Sequence, residues 1–404
     1  MKFAHMADCH IGSWRDPKLK DSSTLAFVKA VNKSVEEKVD FIIIAGDLFN
    51  TSFPRLDNLK TVVSKFRQLK DLGINVYLVP GSHDFSPSGK TILDVLEEAG
   101  LIVNVFKGTF EEGKLKLKFS VDEKTGALIT GMLGKKGTLE KSYYENLEIE
   151  NHENPNGKFR IFVFHSGIDE LKQKEMEHII TQPLSLLPKG FDYYAGGHVH
   201  IVEDKKIEGY GIIAYPGPLF PNSFSELEKL ENGGFYIYDN GALRWEPIQL
   251  YNICKITKDC TGKDPNQITN EVIKELNGKE FNNTLVLIRL NGILESGKPS
   301  DINFKEIFGF LYEKSAYFVM KSSHAVSSKE FREIKQDVKS VIDIETLLIR
   351  EHLGQMKLSG ISREKEEALI KNLMQALSSE KFEDERQADF EKRVKEELKG
   401  VIDI

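Results

Sequence analysis

The run Phe41-Ile42-Ile43-Ile44-Ala45-Gly46-Asp47 decides how the rest of the chain is read. Five successive apolar residues, β-branched at three positions, suit a strand buried on both faces, as in a parallel sheet covered by helices. Gly46 then lets the backbone turn, and Asp47 places a carboxylate where the strand stops. The same layout recurs on either side. Lys2 to Ala7 leads into Asp8-Cys9-His10, and Asn75 to Val79 into Pro80-Gly81-Ser82-His83-Asp84. Arg160 to Phe164 leads into His165, and Asp192 to Ala195 into Gly196-Gly197-His198-Val199-His200. Leu25 to Val39 and Leu56 to Leu72 carry apolar residues at helical spacing, so the N-terminal part reads β-α-β-α-β.

In open α/β sheets, ligands and reacting groups gather at the carboxyl ends of the strands. One histidine after one strand is commonly a satisfied structural residue. Five successive strand ends carrying only Asp and His point instead to a metal centre. Mixed carboxylate and imidazole donors suit manganese, iron or zinc rather than magnesium or calcium. If the chain is extended there, Asp8 and His10 project to one side, as do His198 and His200, so each pair can approach metal together. The three cysteines, Cys9, Cys254 and Cys260, form neither a disulfide framework nor a zinc-finger spacing.

A chain of 404 residues with 40% hydrophobic content can bury more than one core. Its net charge of −7 argues against a protein that coats nucleic acid nonspecifically, while leaving room for local basic patches. No stretch approaches the run of about 20 apolar residues needed to span a membrane, and the first residues lack a signal-peptide layout. The expectation is a cytoplasmic protein.

Taken together, Asp8-Cys9-His10, Gly46-Asp47, Gly81-Ser82-His83-Asp84, His165 and Gly197-His198-Val199-His200 resemble the blocks of the calcineurin-like metallophosphoesterase superfamily. The resemblance implies an α/β fold, a two-sheet sandwich flanked by helices, that hydrolyses phosphoesters with two metals. It makes Asp47 the carboxylate shared by both. Asp8, His10 and His200 complete one site, and His165 and His198 belong to the other. His83 would sit beside the scissile phosphate and stabilise or protonate the departing oxygen. The family block usually reads Gly-Asn-His-Asp, with the Asn as a ligand of the second metal. Here Ser82 replaces it, and a hydroxyl is a poorer ligand, so a weaker second site is expected.

Asp47-Leu48-Phe49, Ile212-Ile213-Ala214-Tyr215-Pro216-Gly217-Pro218, Ser223-Phe224-Ser225-Glu226 and Gly233-Gly234-Phe235-Tyr236-Ile237-Tyr238 narrow the resemblance. Over residues 1–325 the chain looks like the DNA double-strand-break repair nucleases, the SbcD and meiotic recombination eleven family. That implies two Mn2+ per subunit, 3′ to 5′ exonuclease and single-strand endonuclease activity, and a nucleoid-associated role in homologous recombination. It also implies a homodimer, and a coiled-coil ABC-type ATPase as partner. Asn50 stands where several relatives carry a second active-site histidine, which bears on the balance of the two activities. Trp14 and Arg15, just past the first metal block, are candidate DNA contacts. Lys114, Lys116 and Lys118 alternate with apolar residues and read either as phosphate contacts or as a solvated strand face. A phosphoprotein phosphatase or cyclic-nucleotide phosphodiesterase would use the same metals but has no obvious need of the chain beyond residue 250. A weakly active scaffold is the reading that Ser82 adds.

The expected organisation is a nuclease domain over 1–250, a small α+β capping domain over 251–325, a linker over 326–340 and a helical region over 341–404. In the last, Leu369, Ile370, Leu373, Met374 and Leu377 form one apolar stripe introduced by Ser362 as N-cap, and Leu347 and Leu348 mark an earlier helix. Helices this short either pack on one another as a compact hairpin or leave their stripes in need of a partner; the second reading is preferred, and the resemblance supplies the ATPase for that place.

Overall fold

The apolar runs form strands over Lys2–Met6, Phe41–Ala45, Asn75–Val79, Arg160–His165 and Tyr193–Gly197. They are seen in a computed structural model that describes residues 1–86, 90–135, 140–150, 157–173, 179–329, 348–350, 353, 362–379 and 387–402. The chain divides into two units, Met1–Leu250 and Tyr251–Ile404.

In the first unit Lys2–Met6, Phe41–Ala45 and Asn75–Val79 lie parallel in that order, with Val103–Asn104 at the edge. Gly233–Asp239 pairs antiparallel on the other side of Lys2–Met6, and Ala242–Ile248 completes the sheet. A second six-stranded sheet has Arg160–His165 and Tyr193–Gly197 at its centre, flanked in parallel by Leu128–Met132 and Ile212–Pro216. Its edges, Ser120–Val121 and Val202–Lys206, are antiparallel.

The two sheets share a core in which Phe3, Phe41, Ile43, Tyr77 and Val79 join Ile129, Ile161, Val163 and Tyr193. Phe3 stacks between Phe41 and Tyr238, with ring centroids 5.1 and 4.7 Å apart. The intervening residues of the second sheet, Phe162, Phe164, Tyr194 and Tyr215, belong to another core with Leu115, Leu117 and Tyr144. Arg160–His165 is therefore buried on both faces, which is why its sequence does not alternate. Burial of each such side chain contributes on the order of 1.5–3 kcal/mol, so these strands are held rigidly enough to fix what lies at their ends.

The flanking helices cover Ser22–Glu36 and Leu56–Asp71 and meet through Phe27 and Phe66, 5.7 Å apart edge to face. The first starts three residues before the expected Leu25, because Ser22, Ser23 and Thr24 are themselves buried. Lys114–Leu117 is a strand, and Lys114, Lys116 and Lys118 pair with Glu148, Glu111 and Glu150 respectively, which makes theirs an ion-paired surface face.

In the second unit Asn252–Asp259, Thr284–Leu294 and Phe318–Ser328 form a parallel sheet with helices Pro265–Leu276 and Phe304–Glu313. The last strand runs through Ser328, past the expected boundary at 325. Val326 is buried and pairs in register with Gly292, so packing and hydrogen bonding carry the strand into the stretch read as linker. Helix Arg363–Leu377 begins at Ser362, whose hydroxyl accepts the Lys365 N–H at 3.4 Å, and it packs on helix Gln387–Ile402. Leu369, Ile370 and Leu373 are half-buried, whereas Leu348, Met374 and Leu377 are exposed. Leu347 lies outside the described residues. No helix among the described residues is long and apolar enough to cross a membrane.

Candidate metal centre

The carboxyl ends of the central strands of both sheets meet at one place. Beyond the first strand, the backbone N–H groups of Asp8, His10 and Ile11 donate to the carbonyls of Gly46, Asp47 and Leu48 at 3.2, 2.9 and 3.1 Å. Asp8, His10, Asp47, His198 and His200 have φ of 49°, 41°, 51°, 93° and 51°. This left-handed backbone replaces the extended geometry expected for the two Asp/His and His/His pairs. The cause is the tight turn at each strand end, held by pairing with the neighbouring loop. Such conformations cost about 1–3 kcal/mol each and persist where the surroundings over-determine them, as at functional sites.

Three groups of side chains converge: Asp8, His10 and His200; Asp8, Asp47 and His165; and His10, Asp47 and His83. His10 Nε2 lies 3.0 Å from His200 Nε2, and His200 Nε2 lies 3.6 Å from Asp8 Oδ1. Asp47 Oδ2 is 3.1 Å from His165 Nε2 and 3.6 Å from His10 Nε2. His165 Nδ1 donates to the Ala45 carbonyl at 2.8 Å, which leaves Nε2 to face Asp47. His10 Nδ1 is buried without a hydrogen-bond partner, whereas His165 Nε2 meets the Asp47 carboxylate alone. A buried polar atom left unsatisfied costs about 1–3 kcal/mol. Between the His165 imidazole and the Asp47 carboxylate, a divalent cation could take the place of the shared proton. The donor set is of the type such cations take, so the residues present fit the metals that the fold implies.

His198 stands apart from these three groups. Its backbone N–H donates to both carboxylate oxygens of Asp8 at 3.0 Å, and its ring meets that of His165 edge to face at 5.1 Å. The pair His198 and His200 is thus split, one ring beside His165 and the other beside His10. Ser82 is buried, and its hydroxyl donates to Asp47 Oδ2 at 3.4 Å. The His83 backbone N–H donates to Asp47 Oδ1 at 2.7 Å, and His83 Nδ1 donates to the Asn50 carbonyl at 2.8 Å. Asn50 therefore serves this site through its main chain. Trp14 is half-buried, with its indole N–H donating to the Pro221 carbonyl at 3.0 Å, and Arg15 beside it is exposed.

Two participants had no role assigned from the sequence. Asp84 accepts the N–H groups of Leu48, Phe49 and Gly81 at 3.1, 3.0 and 3.1 Å, fastening the Asp47 turn to the His83 turn. Burial and the Asp47 charge push Asp84 up to about 7 against those three donors. Glu226 Oε2 lies 3.2 Å from His200 Nδ1. Both residues stand in the blocks already singled out, but their partners are fixed only by the fold.

The electrostatics divide the histidines. Burial takes His10 down to about 3 and, with the His165 charge, His198 down to about 4. Burial also works against charge on His165 and His200, but nearby carboxylates outweigh it. Asp47 and Asp8 raise His165 to about 10, and Asp8 and Glu226 raise His200 to about 9. Burial raises Asp8, while Asp47 is held ionised despite burial chiefly by the His165 charge and the contact with its ring.

Close packing leaves no space at Gly81, where an added Cβ would stand 2.2 Å from Asp47 Oδ1 and 2.3 Å from its backbone nitrogen. Gly81→Ala is expected to lower the stability of the metal-free protein by about 1–3 kcal/mol and to displace Asp47. Chemical denaturation in the presence of a chelator checks this, and an unchanged midpoint would contradict it.

Residues 1–202 match the family described as calcineurin-like phosphoesterase. The chain belongs to this family. It is a metal-dependent phosphodiesterase with the ligand groups described above. This phosphoesterase is 29% identical over 270 residues to the DNA double-strand break repair protein Mre11 of Methanococcus maripaludis, covering 64% of this chain and 68% of that one. It is 24% identical over 423 residues to the protein of the same name from Archaeoglobus fulgidus, covering 99% of this chain and 91% of that one. It is also 25% identical over 267 residues to the uncharacterized metallophosphoesterase YhaO of Bacillus subtilis, covering 63% and 61% of the two chains.

Proposed function

We propose that the chain is a manganese-dependent DNA nuclease of double-strand-break repair. It acts as a 3′ to 5′ exonuclease and single-strand endonuclease, as a homodimer, together with a coiled-coil ABC-type ATPase. The observation that carries this reading is the extent of the similarity to the Archaeoglobus fulgidus repair protein, which takes in 99% of the chain and so includes the second unit and its helices. A phosphatase acting on phosphoproteins or cyclic nucleotides has no need of those parts.

Asp8, His10, Asp47 and His200 would hold one cation, and Asp47, His165, His198 and Ser82 the other. When bound, the two cations neutralise charge on the phosphoryl oxygens and make a water acidic enough to attack at neutral pH. Asp47 is kept ionised and fixed by the His83 N–H and the Ser82 hydroxyl. The Ser82 hydroxyl turned to Asp47 supports a weaker second site. His83, with Nδ1–H bonded to the Asn50 carbonyl, would give the departing oxygen a proton from Nε2 when its ring carries a hydrogen on both nitrogens. Asn50, Trp14 and the exposed Arg15 are proposed to line the DNA path. The exposed Met374 and Leu377, with Leu369, Ile370, Leu373, Leu347 and Leu348, are proposed to meet the ATPase.

The test offers the full chain, with Mn2+, end-labelled DNA, a phosphopeptide and a cyclic nucleotide in turn. DNA is expected to be degraded, and His83→Ala to lower the rate about 10²- to 10⁴-fold while calorimetry still detects cation binding. Preferential hydrolysis of either other substrate would overturn the nuclease reading.

A further inference from the structure

Outside the converging ligands, a closed circuit of contacts runs through Glu226. Its Oε2 lies 3.2 Å from His200 Nδ1 and also accepts the Asn222 N–H at 2.9 Å. The Asn222 side-chain oxygen accepts the Ser13 hydroxyl at 2.8 Å, and the Ser13 N–H donates to the His10 carbonyl at 3.0 Å. His10 Nε2 then returns to His200 Nε2 at 3.0 Å. Two further bonds hold the segment that bears Glu226: the Trp14 indole N–H to the Pro221 carbonyl at 3.0 Å, and the Glu226 N–H to the Ser223 hydroxyl at 3.2 Å.

A carboxylate can only accept, so the nitrogen facing it carries the proton, and the lone pair of a neutral His200 is confined to Nε2. That is the nitrogen facing Asp8 and His10. A carboxylate behind a ligand imidazole fixes its tautomer and ring orientation and raises its basicity. We propose that Glu226 is a positioning residue, which presents His200 Nε2 to the cation held with Asp8 and His10 and ties that ring to the His10 turn through Asn222 and Ser13. The inference rests on the assignment of Asp8, His10 and His200 to one cation site.

The test measures Mn2+ binding by calorimetry on the full chain and on Glu226→Ala, Glu226→Gln, His200→Ala and the double variant Glu226→Ala with His200→Ala. Glu226→Ala is expected to weaken one class of site about 10- to 100-fold. Glu226→Gln should recover most of the loss, because its amide oxygen can accept the same bond. In the His200→Ala background, Glu226→Ala should cost nothing further. Unchanged affinity in Glu226→Ala, or a full additional loss in the double variant, would overturn the proposal. Circular dichroism in chelator establishes that each variant is folded, and Glu226→Asp, which withdraws the charge by one methylene, is read instead if Glu226→Ala is not. If the unaltered chain bound no Mn2+, the metal-centre reading itself would fail.

Discussion

Asp47→Asn is expected to remove detectable turnover and to deprive the chain of tight divalent-cation binding. Asparagine has nearly the same shape, and its amide oxygen can still accept the His83 N–H that Asp47 Oδ1 accepts at 2.7 Å, while its amide nitrogen takes the Oδ2 position that now accepts the Ser82 hydroxyl at 3.4 Å. What disappears is the negative charge that two of the three converging groups share. Several kcal/mol of charge stabilisation depend on cations being held there, and about 1.4 kcal/mol corresponds to a decade in rate, so kcat/KM should fall by roughly three decades or more. The metal-free variant should remain folded. His165 is raised to about 10 chiefly by the Asp47 carboxylate, against burial that favours its neutral form. Facing an amide instead, it loses its proton and stays buried as a neutral ring. The contrast lies in the response to metal. A cation that binds only the folded protein raises the melting temperature, and this gain should be large in the unaltered chain and absent from Asp47→Asn. Scanning calorimetry with and without Mn2+ decides it, and an equal gain in both would show that Asp47 is not at the shared position.

Much of this arrangement was legible in the sequence because two physical signals coincide at each strand end. Runs buried on both faces are continuously apolar, and they stop at residues that packing alone does not select. Phe41–Ala45 before Asp47 and Asn75–Val79 before His83 are examples. Strands that owe their state to pairing left no such mark. Val202–Lys206 is mostly charged and half-buried or exposed, and it is a strand because its backbone pairs with Ile212–Pro216. Gly233–Asp239 finds Lys2–Met6 across most of the first unit. Within the site, residue types pointed to Asp8, His10, Asp47, His165 and His200, and the fold brings these together. The left-handed backbone at Asp8 and His10 was not legible, because non-glycine residues seldom adopt it and only the surrounding hydrogen bonds hold it. Nor was the Asn50 carbonyl behind His83, since a main-chain acceptor carries no side-chain signature. In the tail, the apolar stripe marks Arg363–Leu377 as a helix, and its packing on Gln387–Ile402 is the compact hairpin that the sequence also allows.

Cation uptake should release protons, and affinity should climb steeply with pH. In the metal-free protein His165 and His200 are raised to about 10 and about 9, so both are charged at neutrality, whereas His10 and His198, lowered to about 3 and about 4, are not. The stability that the two charged rings contribute is complete below the ordinary histidine value near 6.5 and is lost as pH rises through 9 to 10. Cation binding runs the other way, because a ligand nitrogen must offer its lone pair. The protons concerned can be placed. His165 Nδ1 must keep its hydrogen for the Ala45 carbonyl, and His200 Nδ1 must keep its own for Glu226, so each ring gives up the one on Nε2. On His200 that hydrogen bridges the 3.0 Å gap to the neutral His10 Nε2, and a cation takes its place. With one proton displaced in each site, affinity should rise about tenfold per pH unit, and thus about 100-fold per site between pH 6 and 8. Calorimetric titration of Mn2+ in buffers of different ionisation enthalpy counts the protons directly, and close to one per cation is expected. A flat affinity with no proton release would mean that both rings are already neutral, and that the carboxylates around them do not outweigh burial.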